Sequence, residues 1–307
     1  MLKYVLKRLG YILVTLWVIV TCTFFMMKNL PGTPFDAERF SIMTPQQQER
    51  VLEMYGLNDS LPMQYVKYIK NMLKGDLGTS FTYVNQDVSK VITGRLGPSA
   101  LIGIQAVLIG LAIGLILGIL AAWKHNSGID YFTMILAVLG VSVPNFVAAA
   151  LLQYYIGLKW GVLPVGFCSV LPSIALSFSA TAMVARFMRT EMLDVLDQDY
   201  IVTARAKGLS QMKVLMRHAV RNSILPVVTI LGPIVVNLMT GSLAVENIFS
   251  IPGIGSLFVD CIKANDYPVI MGITIFYAAF YMLIVLLVDL AYSLIDPRIR
   301  LAKGKES

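Results

Sequence analysis

The stretch LGPSALIGIQAVLIGLAIGLILGILAAW, residues 96–123, contains no charged side chain. A helix rises about 1.5 Å per residue, so a stretch of this length is long enough to cross a bilayer core of roughly 30 Å. Backbone N–H and C=O groups in hydrocarbon have no water to bind and must pair with one another. The stretch therefore predicts a transmembrane α-helix, with lipid as the solvent around it.

Five further runs without a charged residue lie on either side of this one. They make the chain 57% hydrophobic and only 14% charged, which is more apolar than a soluble domain. We predict an all-α integral membrane protein with six transmembrane helices, of which the fourth is interrupted by Pro164 and Pro172. The five runs are residues 9–27, 131–158, 160–185, 222–245 and 267–288.

The distribution of basic residues predicts the orientation of these helices. Six crossings place both termini on one side, and Lys and Arg concentrate on the cytoplasmic side. They cluster in residues 3–8, 186–221 and 298–305, whereas the short loops of the other face carry only Lys159 and Lys263. We therefore predict a multi-pass protein of the cytoplasmic membrane with both termini in the cytoplasm. This topology accounts for the net charge of +7, and we do not expect nucleic-acid binding.

Residues 30–98 form a predicted external segment with signals for two short helices. Thr44-Pro45-Gln46-Gln47 supplies a cap, a proline at the first helical position and a reciprocal glutamine, and Gly56 predicts the end of that helix. Ser60 and Gly75 predict the start and end of the second helix. Two interpretations stay open: the segment caps the helix bundle, or it is a docking surface for an external partner.

Small and polar residues in the membrane runs suggest packing faces and a path. A stripe of small side chains at every fourth position of the second helix predicts close helix packing rather than a transport path. Polar residues in the fourth and fifth helices predict either a polar path or ordinary hydrogen bonds between helices. We also expect a kink at Gly232-Pro233 and place Glu246 near the outer end of the fifth helix. The stripe is Ala106, Gly110, Gly114, Gly118 and Ala122, and the polar residues are Ser173, Ser177, Thr181, Asn237, Thr240 and Gly241.

The cytoplasmic segment 188–226 is longer than most connections between bundle helices. Residues 199–208 predict a short helix that ends at Gly208, and Ser210 predicts the cap of a second helix. In that second helix Val214 and Ala219 occupy apolar positions and Lys213 a polar one. Two short helices joined by a glycine turn make a compact projection. From the residues alone, it could equally be an interfacial element lying on anionic lipid.

The residues of this segment resemble a known family. The run DYIVTARAKGL at 199–209, followed by RHAVRN at 217–222 and Leu225-Pro226, is similar to the EAA loop of ATP-binding-cassette (ABC) importer permeases, in the version of the peptide and nickel permeases. Val202 stands where the general pattern has a glutamate. Four more stretches in order resemble the B-type subunit of oligopeptide and dipeptide permeases: GDLGTS at 75–80, FSIPGIG at 249–255, DYP at 266–268 and DPRIR at 296–300.

The resemblance implies a type I ABC importer permease-like bundle whose coupling residues enter a cleft on an ATPase subunit. Small side chains at Ala204 and Ala206 would let the projection enter closely, and Gly208 would allow a sharp turn. It also implies that the loop 246–255 folds back at the external mouth and helps to gate the path. The coupling residues are Thr203, Ala204, Arg205, Ala206, Lys207, Gly208 and Leu209, and the gate residues are Glu246, Pro252, Gly253 and Gly255.

The resemblance implies that the energy comes from partner proteins. The sequence has no G-x-x-x-x-G-K-[ST] phosphate loop, so we expect no catalytic residue and no cofactor on this chain. Its three Cys and two His show no spacing of a metal site. ATP and magnesium would bind the ATPases. The expected partners are a second homologous permease subunit, two ABC ATPase subunits, an external substrate-binding protein and membrane lipid.

These observations define an expected organisation and function. We divide the chain into a cytoplasmic tail with the first helix (1–29), the external segment (30–98), a five-helix transmembrane domain that includes coupling loop 188–226 (99–295), and a cytoplasmic tail (296–307). We expect a permease subunit of an ABC importer that moves oligopeptides into the cell. The alternatives are a dipeptide or nickel importer of the same family, or an ATP-independent secondary transporter that uses Glu246 or Asp289.

Overall fold

A computed structural model describes residues 2–29, 40, 42–54, 56–83, 86–165, 168–239 and 243–295. Within these ranges the regular structure is helical, apart from an isolated bridge between Thr79 and Asp87. The predicted all-helical class is confirmed. The chain divides into two compact units, residues 1–97 with 256–280 and residues 98–255 with 281–307. The predicted tail 296–307, Thr240, Gly241 and the side chain of Asp289 lie outside the described residues.

The described helices are numbered here in chain order. Two π-helical stretches, Gln153–Lys159 and Leu215–Val220, continue α6 and α9. The helices are α1 Leu2–Lys28, α2 Pro45–Met54, α3 Leu61–Met72, α4 Val88–Trp123, α5 Gly128–Ser142, α6 Asn145–Leu152, α7 Val170–Leu196, α8 Asp199–Ala206, α9 Gln211–Val214, α10 Arg221–Met239, α11 Leu243–Ile248, α12 Ile254–Lys263 and α13 Tyr267–Ile295.

The third predicted span is a bent pair and not one helix. Five helical spans are long and apolar enough to cross a membrane, and α5 with α6 and its π-helical extension makes a sixth only if the pair counts as one span. The two parts meet at an angle of 102°. The break falls at Val143, whose backbone is extended, and at Pro144, which precedes α6. Proline lacks a backbone donor and disfavours helical geometry in the preceding residue, so the helix ends there.

Prolines interrupt the fourth and fifth spans less than the sequence suggested. Pro172 lies in the first turn of α7, where a backbone donor is not needed, and α7 continues without interruption to Leu196. The predicted coupling segment therefore leaves the long helix only after Leu196, and not at its predicted start, residue 188. Helix α10 contains both Pro226 and Pro233 and ends at neither, and the predicted kink at Gly232-Pro233 stays a prediction. Glu246 belongs to the separate short helix α11.

The two short helices predicted in the external segment are confirmed. The Thr44 N–H donates to Gln47 Oε1 at 2.9 Å, and the Gln47 N–H donates to Thr44 Oγ1 at 3.4 Å, which is the reciprocal capping arrangement. Gly75 follows α3 with a φ of +82°, a value that favours glycine. Ser60 occupies the N-cap position of α3 but makes no side-chain capping bond.

The glycine stripe of α4 packs against α7, as the small-residue pattern predicted. A Cβ atom added at Gly110 would lie 2.7 Å from Ala180 Cβ, and one at Gly114 would lie 2.8 Å from Val184 Cβ. At Gly118 it would lie 2.6 Å from the Ala185 carbonyl oxygen. These separations are too short for carbon atoms in contact, so the two helices approach this closely only because α4 has glycine there.

We predict that Gly118→Ala destabilises the protein by about 1–3 kcal/mol, because the added methyl group meets the α7 backbone. Gly94→Ala is the matched control: Gly94 lies in the same helix, and its added Cβ would meet nothing within 4 Å. The control should be neutral or stabilising by up to about 1 kcal/mol, because alanine favours the helix. Thermal unfolding in detergent measures both variants, and equal stability of the two would contradict the packing.

Candidate functional site

The predicted coupling projection consists of two short helices joined by a glycine turn, as expected from the sequence. Helix α8 ends at Ala206, and Ser210 occupies the N-cap position of α9. Between them Gly208 has a φ of +78°, in the left-handed region that costs other residues about 1–2 kcal/mol. A Cβ atom at Gly208 would meet nothing within 4 Å. The glycine is therefore required by backbone conformation and not by local crowding.

A small apolar core fixes this projection to the end of α7. Ile201 and Val214 are fully or almost fully buried, and Val195 and Leu196 of α7 pack against them. Ala204 belongs to the same core and is only 7% exposed. The expectation that the small Ala204 side chain admits a partner protein is therefore corrected: its size serves packing inside the projection.

The remaining predicted coupling residues form the outer surface of the projection. They are exposed, and they combine cationic, small and apolar side chains. Val202 and Met212 add exposed apolar surface beside them, at 60% and 52%. From the sequence, Val202 is only a departure from the family pattern, and Met212 carries no signal that predicts this exposed position. The exposed coupling residues are Thr203, Arg205, Ala206, Lys207, Gly208 and Leu209.

A buried ion pair ties the first turn of α5 to α7. Arg189 Nε lies 2.5 Å from Asp130 Oδ1, and Arg189 Nη2 lies 2.8 Å from Asp130 Oδ2. The Asn126 backbone N–H donates to the same carboxylate at 3.0 Å, and Asp130 is 2% exposed. This fork-to-fork geometry fixes the position of α7 seven residues before its end. From the sequence alone, Arg189 is only one of the basic residues that predict the topology, because its partner is 59 residues away.

The predicted gate loop is built around the buried carboxylate of Glu246. Glu246 is 1% exposed, and its Oε1 accepts a hydrogen bond from Ser99 Oγ at 2.7 Å. The Ser99 hydroxyl in turn accepts the Ile254 backbone N–H at 2.8 Å. One serine of α4 therefore joins the Glu246 side chain of α11 to the backbone at the start of α12.

The glycines of the loop make room for this carboxylate. A Cβ atom at Gly253 would overlap both Glu246 Oε2 and Ser99 Oγ, and one at Gly255 would lie 2.9 Å from Glu246 Oε2. Three residues predicted for the gate, Glu246, Gly253 and Gly255, are thus brought together, and Pro252 lies in the same loop. Ser99 was missed, since nothing near it in the sequence distinguishes it from other serines.

The residues predicted to line a polar path differ in burial and in their contacts. Ser173 and Ser177 are buried, and the Ser173 hydroxyl lies 2.9 Å from Gln105 Oε1 of α4 and 2.6 Å from its own helix at Ser169 O. Thr181 is partly buried, and Asn237 on α10 is exposed. These contacts are those of helix packing within one chain, the alternative that the sequence left open. A role for the four residues in a path stays a prediction.

A second buried carboxylate joins two of the sequence motifs. Asp266 is fully buried, and it accepts hydrogen bonds from Ser80 Oγ at 2.5 Å and from the Thr82 backbone N–H at 3.0 Å. The stretches 75–80 and 266–268, far apart in sequence, therefore meet in one unit. Within the described ranges, no group of three His, Cys, Asp or Glu side chains is placed to hold a metal ion.

A set of membrane-length apolar helices with a two-helix projection and a folded loop after α11 is typical of a multi-pass membrane protein. Two family models match the chain. The model for the inner membrane component of binding-protein-dependent transport systems covers residues 114–301, and that for the N-terminal part of such components covers residues 1–96. The chain belongs to this family of ABC importer permeases.

Curated relatives match over nearly the whole chain. The dipeptide transport system permease protein DppB of Lactococcus lactis subsp. cremoris is 46% identical, over 98% of this chain and 100% of its own length. DppB of Bacillus subtilis is 42% identical over 99% of both chains. The oligopeptide transport system permease protein OppB of Escherichia coli is 38% identical, over 98% of this chain and 100% of its own length.

A solved structure confirms the fold. The crystal structure of an amino acid ABC transporter with histidines is 20% identical and gives a TM-score of 0.52. The match covers 68% of this chain and 94% of the other. This likeness confirms the expected type I permease-like bundle.

We predict that Ser99→Ala loosens the loop 249–255, because it leaves the Ile254 N–H and the Glu246 carboxylate each without this partner. A lost hydrogen bond to a buried charged group is worth about 1–3 kcal/mol, so the Ile254 amide should exchange with deuterium about tenfold faster or more. Ser89→Ala, at an exposed serine of the same helix, should leave the rate unchanged. An unaltered rate in Ser99→Ala would rule out this hydrogen bond as the restraint on the loop.

Proposed function

We propose that this chain is the permease subunit of an ABC importer that carries short peptides across the cytoplasmic membrane into the cell. The observation that supports it most directly is the projection formed by α8 and α9. It is exposed, its glycine turn requires a left-handed backbone, and its core holds it to a membrane-length helix. An element of this kind can transmit a push or pull from a partner protein to the transmembrane bundle.

The proposed orientation places both termini and this projection in the cytoplasm. The basic clusters at 3–8, 186–221 and 298–305 support it through the positive-inside rule. Residues 30–98 and the loop 249–255 would then lie on the external side. A second homologous permease subunit would complete the path, and an external binding protein would deliver the substrate.

We propose that the exposed residues of the projection contact an ATPase subunit. Arg205 and Lys207 offer cations, while Val202 and Leu209 offer apolar surface, a combination suited to a protein cleft. When two ATPase subunits close around ATP and magnesium, their movement would displace the projection and α7 together. The energy for transport thus enters from outside this chain, and the two access states differ by a displacement of helices.

The loop after α11 is the proposed external gate. Its position depends on Glu246, which Ser99 and the neighbouring glycines enclose. Because a buried carboxylate is costly unless it is hydrogen-bonded, this arrangement favours one defined loop conformation. Opening of the path would require the loop and α11 to move together.

The names of the curated relatives help to choose between dipeptides and oligopeptides as the proposed substrate. Sequence motifs alone favoured oligopeptides, whereas the relatives at 46% and 42% identity are named as dipeptide permeases and the one at 38% as an oligopeptide permease. We therefore propose short peptides as the substrate class and dipeptides as the first substrates to test.

Reconstitution into vesicles tests this proposal. The chain, assembled with its second permease, ATPases and binding protein, should take up a labelled dipeptide only when ATP is supplied. A tripeptide and a pentapeptide, added as competitors, measure the preferred length. Uptake by the chain alone, with no ATPase in the vesicle, would contradict the proposal and favour the secondary-transporter alternative.

We predict that Gly208→Trp leaves membrane insertion intact but reduces ATP-driven uptake at least about tenfold, because it strains the turn and puts a large side chain on the coupling surface. Gly161→Trp is the matched control, since Gly161 also has a positive φ, of +61°, and open space around it. The control carries the same backbone strain on the proposed external side and should retain uptake. Full transport by Gly208→Trp would remove the coupling role.

A further inference from the structure

A cavity of about 340 Å³ lies in the unit formed by residues 1–97 and 256–280. Its walls come from the end of α1, from α2, α3 and the residues just after them, and from the start of α13. Small-molecule sites in proteins begin at about 300 Å³ and combine an apolar lining with a few polar groups. Neither the coupling projection nor the gate loop contributes to this cavity.

The charged groups of the cavity are unequally partnered. Lys67 forms an ion pair with Asp59 at 2.6 Å, so its charge is already matched. Lys28, at the end of α1, has no ion-pair partner among the described residues, and its ammonium lies 5.8 Å from the centre of the Phe24 ring. Glu53 is the one acidic side chain among the described lining residues. The cavity therefore offers one unmatched cation and one carboxylate.

A hydroxyl group in the cavity wall also lacks a partner. The Tyr68 hydroxyl oxygen is buried and makes no hydrogen bond within the described part of the chain. Buried polar groups are nearly always paired, so an unpaired one in a cavity wall indicates a missing partner. Burial raises the pKa of the Tyr68 phenol, which therefore stays protonated and can donate a hydrogen bond. The Tyr68 and Phe24 ring centres are 6.0 Å apart, so Lys28 and Tyr68 both flank the same ring.

Much of the rest of the cavity wall is apolar and favours a ligand that carries an apolar group as well as charges. Leu57, Leu77 and Met271 line the cavity together with aromatic rings, a surface suited to an apolar side chain. A ligand that matches all these groups has a carboxylate for Lys28, an acceptor for Tyr68, an apolar group and a cation for Glu53. A short peptide with free termini has all four.

We propose that this cavity binds a short peptide by its C-terminal carboxylate, with Lys28 as the ion-pair partner, Tyr68 as the hydrogen-bond donor and the apolar wall around the last side chain. The inference rests on the proposed function. It adds to that function a substrate site formed largely by the external segment. An anionic lipid headgroup also offers negative charge to Lys28, but Glu53 in the same cavity favours a zwitterion over a purely anionic ligand.

Calorimetry on the purified full chain tests the proposal with the dipeptide Ala-Phe and its C-terminal amide. In the unaltered chain the free acid should bind about ten- to hundredfold more tightly than the amide. This ratio corresponds to the free energy of a charge-assisted hydrogen bond. Lys28→Gln should weaken binding of the acid by that factor and leave the amide unchanged, while Lys28→Arg restores the preference. Lys74→Gln, at an exposed lysine outside the cavity, is the matched control and should bind as the unaltered chain does.

Tyr68→Phe distinguishes a loss of binding from a folding defect, because it removes only the hydroxyl group. Its affinity for the free acid should fall severalfold, while its thermal stability should stay unchanged. An acid-to-amide ratio that stays the same in Lys28→Gln would overturn the proposal. The proposal would also be overturned if Ala-Phe did not bind at all, while dilauroylphosphatidylglycerol bound in a way that depends on Lys28.

The failure of this site and the failure of the proposed function give different results. Normal ATP-driven dipeptide uptake with no Lys28-dependent binding refutes the cavity and leaves the importer function standing. Lys28-dependent binding of Ala-Phe without any ATP-driven uptake refutes the importer function and leaves the peptide site standing.

Discussion

The close contact between α4 and α7 is the constraint on which the rest of the larger unit depends. Gly110, Gly114 and Gly118 let the two helices meet at distances that a methyl group would block. Helix α7 is accordingly the most enclosed span, with 56% of its most apolar stretch buried, against 31% or less for the other single spans. Because lipid gives no hydrophobic drive for helix association, this close fit has to supply the stabilisation.

The position of α7 in turn determines how its C-terminal end and the attached projection can move. The Asp130–Arg189 ion pair holds α7 to the first turn of α5, and the core around Ile201 holds the projection to Val195 and Leu196. The projection is therefore not a loosely attached loop. Any force on its exposed surface reaches the packed helices through buried contacts, which is what coupling to a separate motor requires.

Local patterns in the sequence predicted the features that depend on neighbouring residues. The length of each run without charged residues predicts the membrane spans. The glycine turn at Gly208 and the cap at Thr44 follow from a few adjacent residues. Prolines were harder, because their effect depends on position in the helix: Pro172 is harmless in a first turn, whereas Pro144 ends α5. The Ser99–Glu246 contact joins residues 147 apart and left no local signal. Ala204 shows a further limit, since small size suits both a surface contact and a tight core.

Cysteine cross-linking in cell membranes that contain the whole transporter measures most directly whether the projection meets a separate ATPase. Ala206→Cys places a thiol on the exposed face, and Ala204→Cys places one two residues away inside the small core. A short bifunctional maleimide should join the chain to an ATPase subunit through position 206 and not through position 204. Exclusive reaction of the 206 thiol with a lipid-borne probe, with no protein adduct, would contradict the coupling role.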